Sequence, residues 1–221
     1  MCLTDIQNRM RVASLEADRK PADTVLVAVC KMQPPEKILP LITAGQRVFA
    51  ENRVQEAADK WPDLRAAHSD IELHLIGQLQ TNKAKDAVRL FDVIESVDRE
   101  ALADALSKEM QKQNRALPCF IQVNTGEEPQ KGGVTPADLP ALYAYCRDVA
   151  QIDITGLMCI PPEDDVPALH FALLHKLAHE ISPDRPLKLS MGMSADFETA
   201  IRCGATQVRV GTALFEVMAK D

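Results

Sequence analysis

The chain has 221 residues, 46% hydrophobic and 26% charged, with a formal net charge of −7. That balance describes an ordinary globular protein able to bury a full core, and the acidic excess excludes broad electrostatic binding of nucleic acid. No apolar run reaches the ~18–20 residues of a membrane span, and charge throughout residues 1–20 argues against a signal peptide. Six cysteines (Cys2, Cys30, Cys119, Cys146, Cys159 and Cys203) form no CxxC pair, and Cys30, Cys119 and Cys159 lie in or beside apolar runs. Buried reduced thiols and a cytoplasmic location are expected.

Leu3, Ile6, Met10, Ala13 and Ala17 recur at helical spacing and predict a leading helix over 2–20. After Pro21, short apolar strands alternate with amphipathic helices. Strands are expected at 25–30, 47–51, 72–76, 92–97, 119–124, 153–159, 187–190 and 207–210. Helices are expected at 34–44, 53–60, 81–89, 99–114, 137–149, 166–181 and 195–203, with a short one after 212. Thr135-Pro136-Ala137-Asp138 and Asp98-Arg99-Glu100 read as helix starts, and Gly45 and Gly204 as helix stops. Eight strand–helix units predict an α/β fold: a single (β/α)8 TIM barrel spanning 1–221 with an additional N-terminal helix. An open doubly wound sheet is the rival.

In a barrel, active groups belong at the C-terminal ends of strands. Lys31 ends the first strand, after Val25-Leu26-Val27-Ala28-Val29-Cys30. A lysine there must be paired or lose its charge, for instance by forming a Schiff base with an aldehyde. Ser190-Met191-Gly192-Met193-Ser194 opens the seventh loop, and Gly211-Thr212 opens the eighth. These two loops commonly bind phosphate, through backbone N–H groups and a helix start. Separately, each segment could be only a cap or a turn. A strand-end lysine with a phosphate site fits pyridoxal 5′-phosphate or a phosphosugar lyase. Arg209, within the eighth strand, needs a partner such as a carboxylate or a ring nitrogen. The bland alternatives pair Lys31 with Glu51, or Arg209 with Glu51 or another acid, as a structural ion pair.

Several longer segments together resemble the YggS/PROSC family, the pyridoxal phosphate homeostasis proteins. They are AVCKM around Lys31, FAENRVQE at 49–56, HLIGQLQTNKAK at 74–85 and FDVIESVDR at 91–99. IQVNTGEE at 121–128, LKLSMGMSADFETAI at 187–201 and ATQVRVGTALF at 205–215 complete the set. Members of that family resemble the N-terminal barrel domain of alanine racemase. The resemblance implies pyridoxal 5′-phosphate held as an internal aldimine on Lys31. It implies phosphate contacts from Ser190 and Gly211-Thr212, helped by Met191, Gly192 and Ser194. Arg209 would face the pyridine nitrogen, and Asn52 and His74 would line the ring pocket. It implies a role in cofactor supply, with transfer to pyridoxal phosphate-dependent apo-enzymes and no established turnover. Departures from the family pattern are Cys30, Met32, Ala50, the 124–133 loop and Glu216.

A racemase needs two bases on opposite faces of the substrate α-carbon. In alanine racemases the base opposite the lysine is a tyrosine from a second domain, for which these 221 residues leave no room. Tyr143 and Tyr145 fall within the helix predicted at 137–149. No catalytic residue is therefore assigned, and a racemase-like enzyme is the alternative. His175 and His179, four apart, lack a third ligand and predict no metal site. Lys83, Lys85 and Arg89 read as a solvated surface. A barrel that closes its own edges is expected to stand as a monomer.

Overall fold

The structure, a computed structural model, describes residues 2–215. Eight strands close in chain order: β1 Val25–Val29, β2 Val48–Glu51, β3 Glu72–Leu75, β4 Val93–Val97, β5 Cys119–Val123, β6 Ile154–Cys159, β7 Lys188–Ser190 and β8 Gln207–Val210. All neighbours are parallel. Val25 of β1 lies opposite Gln207 of β8, and Ala28 opposite Val210, so the sheet has no edge and the open-sheet rival falls. Strands covered on both faces read as unbroken apolar runs, and every residue of β4 and β5 is buried.

The helices are α1 Leu3–Glu16, α2 Pro35–Thr43, α3 Val54–Ala67, α4 Ala84–Leu90, α5 Glu100–Gln113, α6 Leu139–Asp148, α7 Pro167–Ile181, α8 Phe197–Arg202 and α9 Thr212–Phe215. Three differ from expectation for local reasons. α1 stops at Glu16, short of 20, because Asp18 turns left-handed at φ 53°. α3 runs past 60 and through Pro62 to Ala67. Trp61 is fully buried with its Nε1 donating to Glu51 Oε1 at 3.0 Å, and Leu64 is buried beyond it, so packing carries the helix across the proline. α6 begins at Leu139, because Thr135 Oγ1 accepts from the Asp138 N–H at 3.2 Å and makes a separate turn first. Gly45 and Gly204 follow α2 and α8 with φ of 95° and 100°, the helix stops expected of them. Glu216 lies outside the described residues.

Inside the barrel, alternate strand residues face one another. Val27, Val29 and Ala50 form one apolar patch, and Val93, Phe120 and Met158 another. A Cβ on Gly156 would fall 2.3 Å from the Phe120 ring, so the glycine of β6 makes room for that ring. The rest of the interior is unusually polar: His74, Glu95, Ser190 and Arg209 are all buried.

Candidate functional site

The chain leaves β1 through Cys30 and turns at once. The Gln33 N–H donates to the Cys30 carbonyl at 3.0 Å, and Met32 takes a left-handed φ of 59°. A side chain is seldom found there without support. The support comes from α3. Lys60 Nζ donates to the Cys30 carbonyl (2.9 Å), to Glu51 Oε1 (2.8 Å) and to Glu56 Oε1 (2.9 Å). Glu56 Oε1 also accepts from the Met32 N–H at 2.6 Å. The Lys60 amine is thus clamped between two carboxylates. Burial works to lower its pKa, but hydrogen bonds and charge from Glu51 and Glu56 outweigh that and raise it. Burial raises the Glu51 pKa even with Lys60 and Trp61 as partners. Glu51 is therefore the partner of Lys60, and neither Lys31 nor Arg209 pairs with it.

Lys31 emerges from this braced turn, exposed, with no ion pair among the described residues. It lines a cavity of about 420 Å³ together with Val29, Lys37, Gly211, Thr212 and Phe215. Gly211 sits tightly on β1, where a Cβ would lie 3.1 Å from the Val29 carbonyl oxygen. The amine and the β8 turn, 180 residues apart in sequence, therefore share one opening. No residue of 190–194 is among the described lining of that cavity. That loop is tied to the segment after β8 through Ser194, whose Oγ accepts from the Ala213 N–H at 3.4 Å. Gly192 has φ 89°, and a Cβ there would lie 2.5 Å from Ala200 Cβ, so glycine fixes the path of the β7 loop over α8. Met191 is fully buried, and its N–H donates to the Gln207 carbonyl at 3.1 Å.

Two of the residues with expected roles are engaged inside the barrel. The Ser190 hydroxyl is buried there and donates to Glu95 Oε2 at 2.5 Å. Its single hydrogen is spent there, and its oxygen accepts from Arg209 Nη1 at 2.8 Å. His74, expected to line the ring pocket, has both ring nitrogens engaged inside the barrel. Nδ1 lies 2.5 Å from Glu95 Oε1, and Nε2 lies 2.6 Å from Glu72 Oε1. Burial alone would lower the His74 pKa, but the two carboxylates outweigh it and raise it to about 9. His74 is thus an imidazolium at neutral pH and donates from both nitrogens. Burial works to raise the Glu95 carboxyl, and His74, Arg209 and Ser190 overcome it, holding it below its usual range.

Arg209 lies where its strand position predicted, inside β8, and Nη2 donates to the Cys159 carbonyl at 2.8 Å. Asn52, just past β2, has a buried Oδ1 with no partner among the described residues. A Cβ on Gly77 would fall 2.1 Å from the Asn52 carbonyl oxygen, so the β2 and β3 loops meet closely at this asparagine. The sequence reading overlooked Glu95 and Glu72. Their signal was present: a lone acid at alternate positions of an otherwise apolar strand calls for a buried cation. Lys60 and Lys37 carry no comparable signal, since an amine on a polar helix looks solvated.

Among the described residues, no group of three His, Cys, Asp or Glu side chains could hold a metal ion. No helix among the described residues is long and apolar enough to cross a membrane.

A model of the family described as "Alanine racemase, N-terminal domain" matches residues 3–218. The pyridoxal phosphate homeostasis protein of Aquifex aeolicus is 40% identical over 221 residues, covering 96% of this chain and 95% of that one. PipY of Synechococcus elongatus PCC7942, solved without PLP, superposes with a TM-score of 0.83 at 41% identity, covering 94% of this chain and 99% of that one. The same protein solved with PLP bound gives a TM-score of 0.81 at 40% identity with the same coverage. A lysine-bearing turn braced from α3, a glycine-tight β8 loop at the same opening and likeness along nearly the whole length agree: the chain belongs to the pyridoxal phosphate homeostasis protein family, built on the alanine racemase N-terminal domain.

Proposed function

We propose that this protein holds pyridoxal 5′-phosphate at the C-terminal mouth of its barrel and serves intracellular cofactor supply. The observation that carries this reading is the shared cavity of Lys31 and the Gly211-Thr212 turn. The residues suit the group. The Lys31 amine has no competing acid. Gly211 packs closely on β1, where a Cβ would lie 3.1 Å from the Val29 carbonyl oxygen, and without a side chain its backbone is open to a phosphate. The unpartnered Asn52 Oδ1 offers a buried acceptor. When bound, the cofactor supplies an aldehyde able to condense with an amine, with loss of water.

In this reading Lys31 is the amine that attaches the cofactor, and Gly211, Thr212 and the Ser194 loop hold its phosphate. Met191 and Gly192 act through backbone position alone. Arg209 faces the ring nitrogen, and as a group that keeps its proton it leaves that nitrogen an acceptor. His74 and Ser190 act behind Arg209. An acceptor nitrogen is a weak electron sink, which suits a carrier better than a racemase. The tyrosines support the same choice: Tyr145 Oη donates to Asp104 at 2.9 and 3.0 Å on the outer shell, and Tyr143 stacks near Arg147. All six cysteines are free thiols, and burial pushes Cys146 and Cys159 up to about 12, which suits a reducing cytoplasm. The closed barrel suits a monomer that hands its cofactor to apo-enzymes.

The test is borohydride reduction of cofactor-loaded protein followed by peptide mass mapping. A pyridoxyl adduct is expected on the Lys31 peptide, and Lys31→Ala should lose it. An adduct only elsewhere would overturn the assignment. Fast α-proton exchange on an amino acid would move the reading to a racemase. A colourless protein trapped only with a sugar phosphate would move it to a lyase.

A further inference from the structure

A continuous chain of charged hydrogen bonds crosses the barrel interior from its N-terminal mouth towards its C-terminal one. It begins at Glu72, half-exposed beside a cavity of about 400 Å³ at the N-terminal ends of the strands. It passes through His74, Glu95 and Ser190 to Arg209, at 2.6, 2.5, 2.5 and 2.8 Å. Beyond Glu72 every member is 3% exposed or less. Arg209 ends on the Cys159 carbonyl, the last residue of β6.

The direction of each bond is fixed by chemistry. Glu95 is ionised and can only accept. Ser190 must therefore give it the one hydroxyl hydrogen, and only then can the serine oxygen accept from Arg209. The charges balance as well: two carboxylates meet one imidazolium and one guanidinium, with Lys188 on β7 acting on Glu72 from the side. Buried ions are stable only when matched in this way.

We infer that Glu95 is the positioning residue for Arg209, acting through Ser190, and so sets the donor that the cofactor's ring nitrogen meets. The consequence for the ring rests on the proposed placement of Arg209; the positioning of Arg209 itself does not. Replacing Glu95 with glutamine removes the carboxylate charge from the chain whichever way the amide lies. If its NH2 faces Ser190, the serine receives two donors and its own hydrogen loses its acceptor. If its NH2 faces His74, the imidazole must give up its Nδ1 proton to accept it, and the charge of the chain changes at that point. In both cases the carboxylate that faces His74 and Arg209 is lost.

The test reads the guanidinium directly by nitrogen-15 NMR in the ligand-free protein, with the Arg209 signals assigned by their loss in Arg209→Lys. Glu95→Gln and Ser190→Ala should each shift or broaden those signals, while Glu198→Gln on the outer shell should not. Circular dichroism matching the wild type establishes that each variant is folded, and Ser190→Ala stands in should Glu95→Gln fail. Titration with pyridoxal 5′-phosphate should show each single change weakening binding about tenfold, the loss of one charged hydrogen bond. The double variant should be no worse than the weaker single, since both act on one chain. The ring nitrogen-15 signal of labelled cofactor should move in Glu95→Gln. Unchanged Arg209 signals in both folded variants, or losses that multiply in the double, overturn the inference. Arg209 signals that respond in a wild-type background unable to take the cofactor would sink the binding reading and leave the positioning intact.

Discussion

Single residues in this protein do their work through the groups that hold them. The place of Lys31 at the barrel mouth was legible from sequence because the amine directly follows an apolar strand. Its brace was not legible, because Lys60 sits on a polar helix and its two acids lie four and nine residues away. Lys60→Met should leave Glu51 buried without a counterion and cost about 3–5 kcal/mol, read by urea unfolding. The same variant should free the Met32 turn and weaken cofactor retention, read by titration. The bond that holds the Ser190 hydroxyl was illegible for a related reason. A hydroxyl at a strand end looks like a ligand donor until the buried acid that claims its hydrogen is known, and that acid lies 95 residues earlier.

Elements were legible where a period was strong and less so where packing overrode local preference. The eight strands follow from apolar runs alone, whereas α3 continues through Pro62 because Trp61 is anchored across the shell to Glu51. The β7 loop depends on one conformation. Gly192→Ala combines a disfavoured φ with a Cβ 2.5 Å from Ala200, and should destabilise the fold by about 1–3 kcal/mol in denaturant unfolding. β3 and β4 carry a pH signature. The His74 pKa is raised in the folded state, so its contribution is complete below about 6.5 and is lost as pH climbs through about 9. At most about 3 kcal/mol should vanish over that window. The Glu72 and Glu95 pKa values are lowered, so their contributions are present above the ordinary carboxylate range and disappear towards acid. Denaturant midpoints followed from acid to alkaline pH should peak between the two limbs, and His74→Asn should flatten the alkaline one.

At the scale of the whole molecule, closure of the sheet lets residues far apart in sequence meet at one mouth. The barrel and its mouth were readable from the alternation of strands and helices. The inner wiring was not, because strand periodicity gives the facing of a side chain but not its partner across the barrel. A cofactor that binds only the folded chain should stabilise it by about 2.7 kcal/mol at a hundredfold excess over Kd, raising Tm by roughly 5–10 °C in calorimetry. The first helix also belongs to this scale. α1 buries Leu3, Ile6, Met10 and Ala13, packs on α8, and reaches Glu198 with the Arg9 fork at 2.8 Å. It therefore covers the flank of α8 on the outer face of the barrel. Trimming the chain back to its first strand would peel open the flank of α8, the very support on which the Gly192 loop leans.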